Sequence, residues 1–318
     1  MPDLAVHYYF GQSVLNALPD DILIDHPTFD FALSGPDDWF YDFPGDLRCV
    51  RGKTARASYM HRNKTGEFLR ALAKEPLLFS YFAGFVCHYV LDSTCHPYII
   101  SCTGTYDGTK ESRAFRGNHM ALERALDRWM LKEKGNFAAH PLTGPLNISG
   151  AYESEPAAPP DPGAGHMMGA PLPPELKASV DRVYLGIFGW ENAYDQLLTA
   201  KNHMRRYLRL LEDPHNIVKG ITAVLHNPLL LPLPYSREFY QNADILNLKG
   251  RKWHHPNDPA LSSTSSFPEL LEKAEKEAAH IITAASSGDL SPIGNRSYIT
   301  GFDLDDPRNN DNPDYSLL

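Results

Sequence analysis

The most apolar stretch of the chain runs from Leu77 to Tyr98, and a stripe of ionisable residues interrupts its hydrophobic pattern. His88, Asp92 and His96 recur every four residues, so each side chain lies only ~40° around an α-helix from the previous one. All three therefore share one face of a predicted helix, and Pro97 is expected to end that helix. Because unpaired buried polar groups are costly, these side chains need partners, and a metal ion is one such partner.

Helical periodicity dominates the remaining pattern of apolar and polar positions, and strand signals are nearly absent. The chain is therefore predicted to be all-α, a multi-helix bundle. Helices are predicted at about residues 4–17, 54–74 with a break near Gly66, 76–96, 114–133, 176–212, 216–226 and after a capping Ser266. Residues 21–50 and 227–262 are predicted to be irregular.

The composition changes at two places along the chain. Residues 149–175 are dense in Pro, Ala and Gly, which predicts a surface insertion rather than a regular element. The tail from Asp303 is acidic and rich in Asn and Pro, which favours disorder. We therefore expect one metal-binding domain over residues 1–302 and a disordered tail over residues 303–318.

Charge and cysteine usage narrow the classes of protein that fit. The net charge of -9 lowers the expectation of a nucleic-acid partner, because an acidic chain gains no general attraction to phosphates. The four cysteines show no zinc-ribbon spacing and favour buried free thiols in a reducing compartment. The N-terminus lacks the pattern of a signal peptide, and three ionisable groups argue against a membrane span in the apolar stretch. These features predict a cytoplasmic protein with no stable membrane insertion.

A second His–carboxylate pair supports the metal hypothesis. His119 and Glu123 are four residues apart on a predicted helix and face the same way. Further donors lie outside these two helices: His7, His61 and one of the consecutive pair Asp37 and Asp38. Histidine and carboxylate donors without cysteine suit zinc first, with manganese or iron possible. Eight donors exceed the needs of one tetrahedral ion, which implies two or three ions.

Each of these residues has an ordinary structural interpretation when it is taken singly. A lone His7 or His61 is more often a core histidine than a ligand, and Asp37 in a turn is commonly an Asx turn. The joint pattern across several helices is what favours a metal cluster. Clustered metals a few Å apart are typical of phosphoester hydrolysis. The chain lacks His-Glu-x-x-His, a His–Asp dipeptide and paired Glu-x-x-His motifs, which argues against other metalloenzyme classes.

Five segments in order resemble the zinc-dependent phospholipase C family: HYYFG, GPDDW, MHRNKTGEFL, GFVCHYVLDSTCHPY and NHMALERALD. The resemblance covers roughly residues 1–135 and is weaker in the helices beyond. It implies an all-α bundle with a three-zinc cluster at the base of a cleft. The implied reaction is hydrolysis of a phosphodiester, typically in a phospholipid, and the architecture is related to the single-strand-specific zinc nucleases.

The resemblance also implies a role for each donor. His7 would bind the ion nearest the N-terminus, and Asp37 would serve as the general base for the attacking water. The second ion would be bound by Asp37, His61, His88 and Asp92, and Asp92 would bridge to the first ion. The third ion would be bound by His96, His119 and Glu123.

The chain departs from the secreted members of the family in three ways. It lacks their N-terminal Trp ligand, which the amine of Pro2 or Asp3 would have to replace. His96 follows Asp92 by four residues instead of six. The chain also lacks a predicted C-terminal β-sandwich, so a membrane-lytic role is not expected. Two alternatives stay open: a nuclease or nucleotide phosphatase on the same zinc core, and a non-catalytic scaffold stabilised by zinc.

Overall fold

The structure, a computed structural model, describes residues 4–42, 50–106, 109, 111–134, 174–211 and 244–309. The helix predicted at 216–226, residues 149–173 of the predicted insertion and the final residues 310–318 lie outside the described residues.

The described residues confirm the all-α prediction. They form nine α-helices: α1 (Leu4–Ala17), α2 (His26–Ala32), α3 (Val50–Arg62), α4 (Thr65–Ala73), α5 (Phe79–Thr103), α6 (Arg113–Glu133), α7 (Pro174–Phe188), α8 (Ala193–Leu211) and α9 (Phe267–Ser286). Short 3₁₀-helices cover Gly35–Tyr41, Pro76–Leu78 and Pro307–Asn309. One small antiparallel sheet pairs β1 (Trp253–His255) with β2 (Asp258–Ser263).

Helix α5 is the centre of the bundle. Apart from the stripe of His88, Asp92 and His96, it carries apolar residues on every side and nearly all of it is buried, as expected for a helix covered on every side. It packs most extensively against α9 and α2, and also contacts α1, α4 and α6. In the part of the chain that the structure describes, no helix has the length and apolarity needed to cross a membrane. The interpretation of this stretch as a core helix is therefore confirmed.

The prediction that Pro97 ends the central helix is wrong, because α5 continues to Thr103. Proline removes one helical hydrogen bond, the one to the carbonyl of Ser93, but burial of the following turns outweighs that loss. Gly301 lies against this point so closely that an added Cβ would be 2.3 Å from the Ser93 carbonyl oxygen. The helix ends at Thr103 because the next residue, Gly104, has a φ of +86°, outside the helical region.

Two predicted helices are each split by a left-handed residue. The break predicted near Gly66 is confirmed: it lies at Lys64, with φ of 56°, just before α4, which contains Gly66. The helix predicted over 176–212 is divided into α7 and α8 by Gly189 and Asn192, which have φ of 73° and 52°. These residues turn the chain, so α7 and α8 pack against each other.

Two segments predicted to be irregular contain short regular elements. Helix α2 begins after Asp25, whose carboxylate accepts a hydrogen bond from the Thr28 amide at 3.0 Å. The 3₁₀-helix Gly35–Tyr41 follows it, and the β1–β2 hairpin lies within residues 227–262. These elements are three to seven residues long, too short for a periodic pattern to reveal.

The chain is structured further toward its end than predicted. Arg308 binds Asp258 at 2.8 Å and Asp306 at 2.6 Å, and its guanidinium lies 3.8 Å from the centre of the Phe302 ring. Residues 303–309 therefore fold onto the β1–β2 hairpin, and the expected start of disorder at Asp303 is wrong. The single-domain organisation itself stays a prediction.

Candidate metal centre

The carboxylate of Asp92 is the central group of the site and is completely buried on α5. Its Oδ1 lies 3.4 Å from Nε2 of His7 on α1. Its Oδ2 lies 3.1 Å from Nε2 of His88 and 3.7 Å from Nε2 of His61 on α3. Three helices thus bring imidazole nitrogens to one carboxylate.

Asp37 reaches the same imidazoles from the 3₁₀-helix. Its Oδ1 lies 3.1 Å from Nε2 of His61, and its Oδ2 lies 3.7 Å from Nε2 of His88. Gly35 makes this approach possible, because its φ is +54° and an added Cβ would be only 2.4 Å from the His88 ring. Of the two consecutive aspartates, Asp37 faces the histidines, whereas Asp38 pairs with Lys201 at 2.9 Å.

The third group joins α5 to α6. Glu123 Oε1 lies 2.8 Å from Nε2 of His119 and 3.5 Å from Nε2 of His96. The two imidazole rings are stacked, with centres 5.7 Å apart. The four-residue spacing that separates His96 from Asp92 therefore places His96 beside the pair on α6.

The eight predicted donors form three groups in which the potential ligand atoms lie within 4.8 Å of one another. The groups are His7, His88 and Asp92; Asp37, His61 and His88; and His96, His119 and Glu123. His88 belongs to two groups, so the first two adjoin.

The surroundings of three histidines orient their Nε2 atoms toward the cluster. In each case a backbone carbonyl accepts a hydrogen bond from Nδ1: Ala57 from His61 at 2.7 Å, Leu33 from His88 at 3.0 Å and Tyr298 from His96 at 2.7 Å. An Nδ1 that carries the proton leaves Nε2 with a free lone pair when the ring is neutral. This is the usual arrangement of metal-binding histidines, whose second nitrogen is held by a carbonyl or carboxylate.

Several of the converging atoms are buried without a hydrogen bond. They include both oxygens of Asp92, Nε2 of His88 and both ring nitrogens of His7. Leaving such atoms unpaired is unfavourable, and a cation bound among them would satisfy them together. Imidazole nitrogens and carboxylate oxygens are zinc ligands, so the residues fit the predicted metal.

Three members of the first two groups, His7, Asp37 and Asp92, have protonation states that suit a cation. Burial would lower the pKa of the shared His88, but Asp92 and Asp37 raise it. Burial lowers the pKa of His7 to about 4, and the nearby His88 acts in the same direction. Burial alone would raise the pKa of Asp92, but His96 and His88 hold it well below its usual value. Asp37 behaves similarly, because His88 and His61 outweigh its burial. The carboxylates are therefore ionised at neutral pH, and His7 is neutral.

The third group shows the same balance. Burial lowers the pKa of His119. Burial opposes ionisation of Glu123, but the adjacent His119 holds the pKa of Glu123 below its usual value. An ionised glutamate is therefore present for a cation at this group as well.

Two supporting residues were missed by the sequence analysis. Asp127 on α6 accepts hydrogen bonds from the amides of Ala5 at 3.0 Å and Val6 at 2.8 Å, which holds the start of α1. It continues the four-residue spacing of His119 and Glu123, a signal that was available. Tyr298 donates its amide to the carbonyl of His61 at 3.0 Å, and no sequence signal links these two positions.

Comparison with known proteins places the chain in a family. A sequence model described as zinc dependent phospholipase C matches residues 6–194, which is more than half of the chain and includes all eight donors. No curated protein and no solved structure gave a match. The resemblance seen in the sequence is thus confirmed, and the chain belongs to the zinc-dependent phospholipase C family.

Proposed function

We propose that this protein hydrolyses phosphodiester bonds with two or three bound zinc ions, and that its substrate is a phospholipid or a related small phosphodiester. Membership of the family supports the broader description, a zinc-dependent hydrolase of the phospholipase C type. The observation that carries the proposal is the buried Asp92 carboxylate, which is surrounded by imidazoles and has no hydrogen-bond partner on either oxygen.

The proposed ligands are His7, Asp37, His61, His88, Asp92, His96, His119 and Glu123. Asp92 would be shared between two ions in this assignment, because its two oxygens face different histidines. Zinc bound in such a cluster lowers the pKa of a coordinated water and stabilises negative charge on a phosphoryl group.

Asp37 is the proposed catalytic residue. Its carboxylate is buried, lies at the edge of the imidazole cluster and is ionised at neutral pH. An ionised carboxylate accepts a charge-assisted hydrogen bond from water, and its capacity to take up the proton falls as its pKa falls. Asp37 is therefore better suited to orienting the attacking water than to holding its proton for long.

The exposure of the donors indicates how substrate reaches the site. The His119 side chain is 14% exposed, whereas the other side chains of the proposed ligand set are 6% exposed or less. Among the described residues, solvent thus reaches the cluster beside α6. We place the scissile phosphate on this side, where it adjoins the third donor group.

Metal analysis and a substrate panel test the proposal together. The purified protein should contain two or three zinc ions and cleave phosphatidylcholine or a chromogenic phosphocholine ester, but not single-stranded DNA. Asp92→Asn should lose zinc and at least about 100-fold in activity, since it removes a bridging charge. His280→Ala is the matched control, because His280 is exposed on α9 and lies outside the cluster.

The other outcomes identify the alternatives. Cleavage of DNA without cleavage of lipid would make the protein a nuclease. Zinc that raises the melting temperature, with no phosphoester cleaved, would make it a scaffold. A protein without stoichiometric zinc would refute all three functions.

A further inference from the structure

Lys201 is a buried cation on α8, beyond the last residue of the family match. Its side chain is 1% exposed, and its Nζ lies 2.9 Å and 3.2 Å from the two carboxylate oxygens of Asp38. It also donates to the Ser34 hydroxyl and lies 4.5 Å from the centre of the Phe31 ring. A buried lysine destabilises the folded state unless its charge is paired, so the folded protein depends on the contact between Lys201 and Asp38.

The partners of Lys201 belong to the turn Ser34–Asp38, at the start of the first 3₁₀-helix. This turn carries the proposed catalytic residue, Asp37. The Ser34 hydroxyl accepts from Lys201 and donates to Asp38 Oδ2 at 2.9 Å. The Ser34 carbonyl accepts a hydrogen bond from the amide of Asp37 at 3.0 Å. Lys201 therefore holds both ends of the turn, while the Asp37 side chain contacts the histidine cluster.

The turn also packs against α3 and α8, and the ion pair of Asp38 with Lys201 adds a directional contact to that packing. Gly35 has a positive φ and lies against the His88 ring, so a small rotation of the turn would move Asp37 away from His61. Without the ammonium group, a buried carboxyl would lose its counter-charge beside the metal cluster.

We propose that Lys201 is a positioning residue, which holds the Ser34–Asp38 turn so that Asp37 completes the donor group formed with His61 and His88. The inference rests on the proposed function only for the chemical role of Asp37. Its effect on metal binding does not depend on which substrate the protein cleaves.

Zinc titration of Lys201→Met tests the proposal. In a His119→Ala background, which removes a ligand of the third group, the variant should bind zinc about 10- to 100-fold more weakly than the background alone. In the otherwise unchanged protein, kcat should fall by a similar factor while KM changes less than about twofold, because Asp37 acts on the attacking water. Lys276→Met is the control, since Lys276 is 73% exposed on α9.

A double variant separates positioning from simple neutralisation of the Asp38 charge. Asp38→Asn combined with Lys201→Met leaves no unpaired buried charge but does not restore the ammonium contacts to Ser34 and Asp38. Its zinc affinity should stay within about threefold of that of Lys201→Met, because the turn still lacks the contact with Lys201. Recovery of this variant to the affinity of the background would mean that Lys201 only neutralises Asp38, which would overturn the proposal.

The remaining outcomes are also decisive. Unchanged zinc affinity in Lys201→Met, with only a lower melting temperature, would make Lys201 purely structural and overturn the proposal. If Lys201→Met does not fold, Ser34→Ala replaces it, since this change removes the bridging hydroxyl but keeps the ion pair. Ser34→Ala should weaken zinc binding by the same donor group, and an unchanged zinc affinity would overturn the inference. A protein that binds zinc normally but cleaves no phosphoester would refute the proposed function and leave this test intact.

Discussion

The hydrogen bonds from Ala5 and Val6 to Asp127 make the start of α1 the most direct place to test the energetics of the site. The first amides of a helix have no partner within the helix, and here a buried carboxylate on α6 accepts two of them. The negative charge of the carboxylate also interacts favourably with the positive end of the helix dipole. Asp127 thereby fixes the helix that carries His7.

The expected cost of losing this cap follows from the two bonds. A hydrogen bond to a charged group contributes about 1.5–3 kcal/mol, and both bonds are buried. Asp127→Asn keeps one carbonyl acceptor but loses the charge, so it should reduce the free energy of unfolding by about 2 kcal/mol. Asp127→Ala leaves both amides without their acceptor and should cost about 3–6 kcal/mol.

The assay is urea denaturation of the zinc-free protein, followed by circular dichroism. Chelating the metal first separates the effect of the cap from the effect of zinc binding. Asp289→Ala is the control, because Asp289 is exposed after the end of α9. It should change the free energy of unfolding by less than about 0.5 kcal/mol.

Zinc affinity provides the second measurement in the same series. A displaced α1 moves His7, so the donor group of His7, His88 and Asp92 should weaken in both Asp127 variants. The reasoning is refuted if Asp127→Ala costs less than about 1 kcal/mol, which is below the cost expected for even one of the two bonds. It is also refuted if zinc binding is unchanged in a variant that is destabilised as expected.

Two further perturbations test the close packing and the ionisation of the site. Gly35→Ala places a Cβ against His88 at a positive φ, so it should lower the free energy of unfolding by at least about 2 kcal/mol and weaken zinc binding. Thermal melting with and without a chelator measures both effects. Gly186→Ala is the control, because a Cβ added at this helical position would meet nothing within 4 Å and should leave the stability unchanged or raise it. Equal losses of stability in both variants would contradict the explanation. Burial lowers the pKa of His7 from 6.5 to about 4. The unfolded chain therefore takes up a proton at His7 before the folded protein does, so stability is full above pH 6.5 and is lost as the pH falls toward 4. Over this pH range the free energy of unfolding of the zinc-free protein should fall by roughly 3 kcal/mol more than that of the zinc-free His7→Asn variant. Denaturation curves measure this difference, and parallel pH profiles of the two proteins would contradict the lowered pKa of His7.

The donors on α5 and α6 were predictable because helical periodicity is a local property. A spacing of four residues places His88, Asp92 and His96 on one face whatever the rest of the chain does. The rule for Pro97 is equally local, yet it failed because the burial of α5 outweighs one lost hydrogen bond. Local signals therefore placed these side chains on one face correctly and the end of the helix poorly.

The supporting residues were not predictable to the same degree. Asp127 continues the spacing of the α6 pair, but its partners are the amides of residues 5 and 6, which have no distinctive side chains. Lys201 and Tyr298 contact residues more than 160 positions away, and such contacts leave no periodic signal. A single sequence thus indicates which groups converge, while the residues that hold them come from the tertiary fold.

The contacts of Tyr298 have a consequence for the order of events during synthesis. All eight proposed ligands are synthesised before residue 124, but the carbonyl that fixes the His96 ring and the amide bound to His61 are made about 175 residues later. A nascent chain would therefore carry every ligand with the orientation of His96 still unset. Zinc binding by the group of His96, His119 and Glu123 would then follow the synthesis of Tyr298.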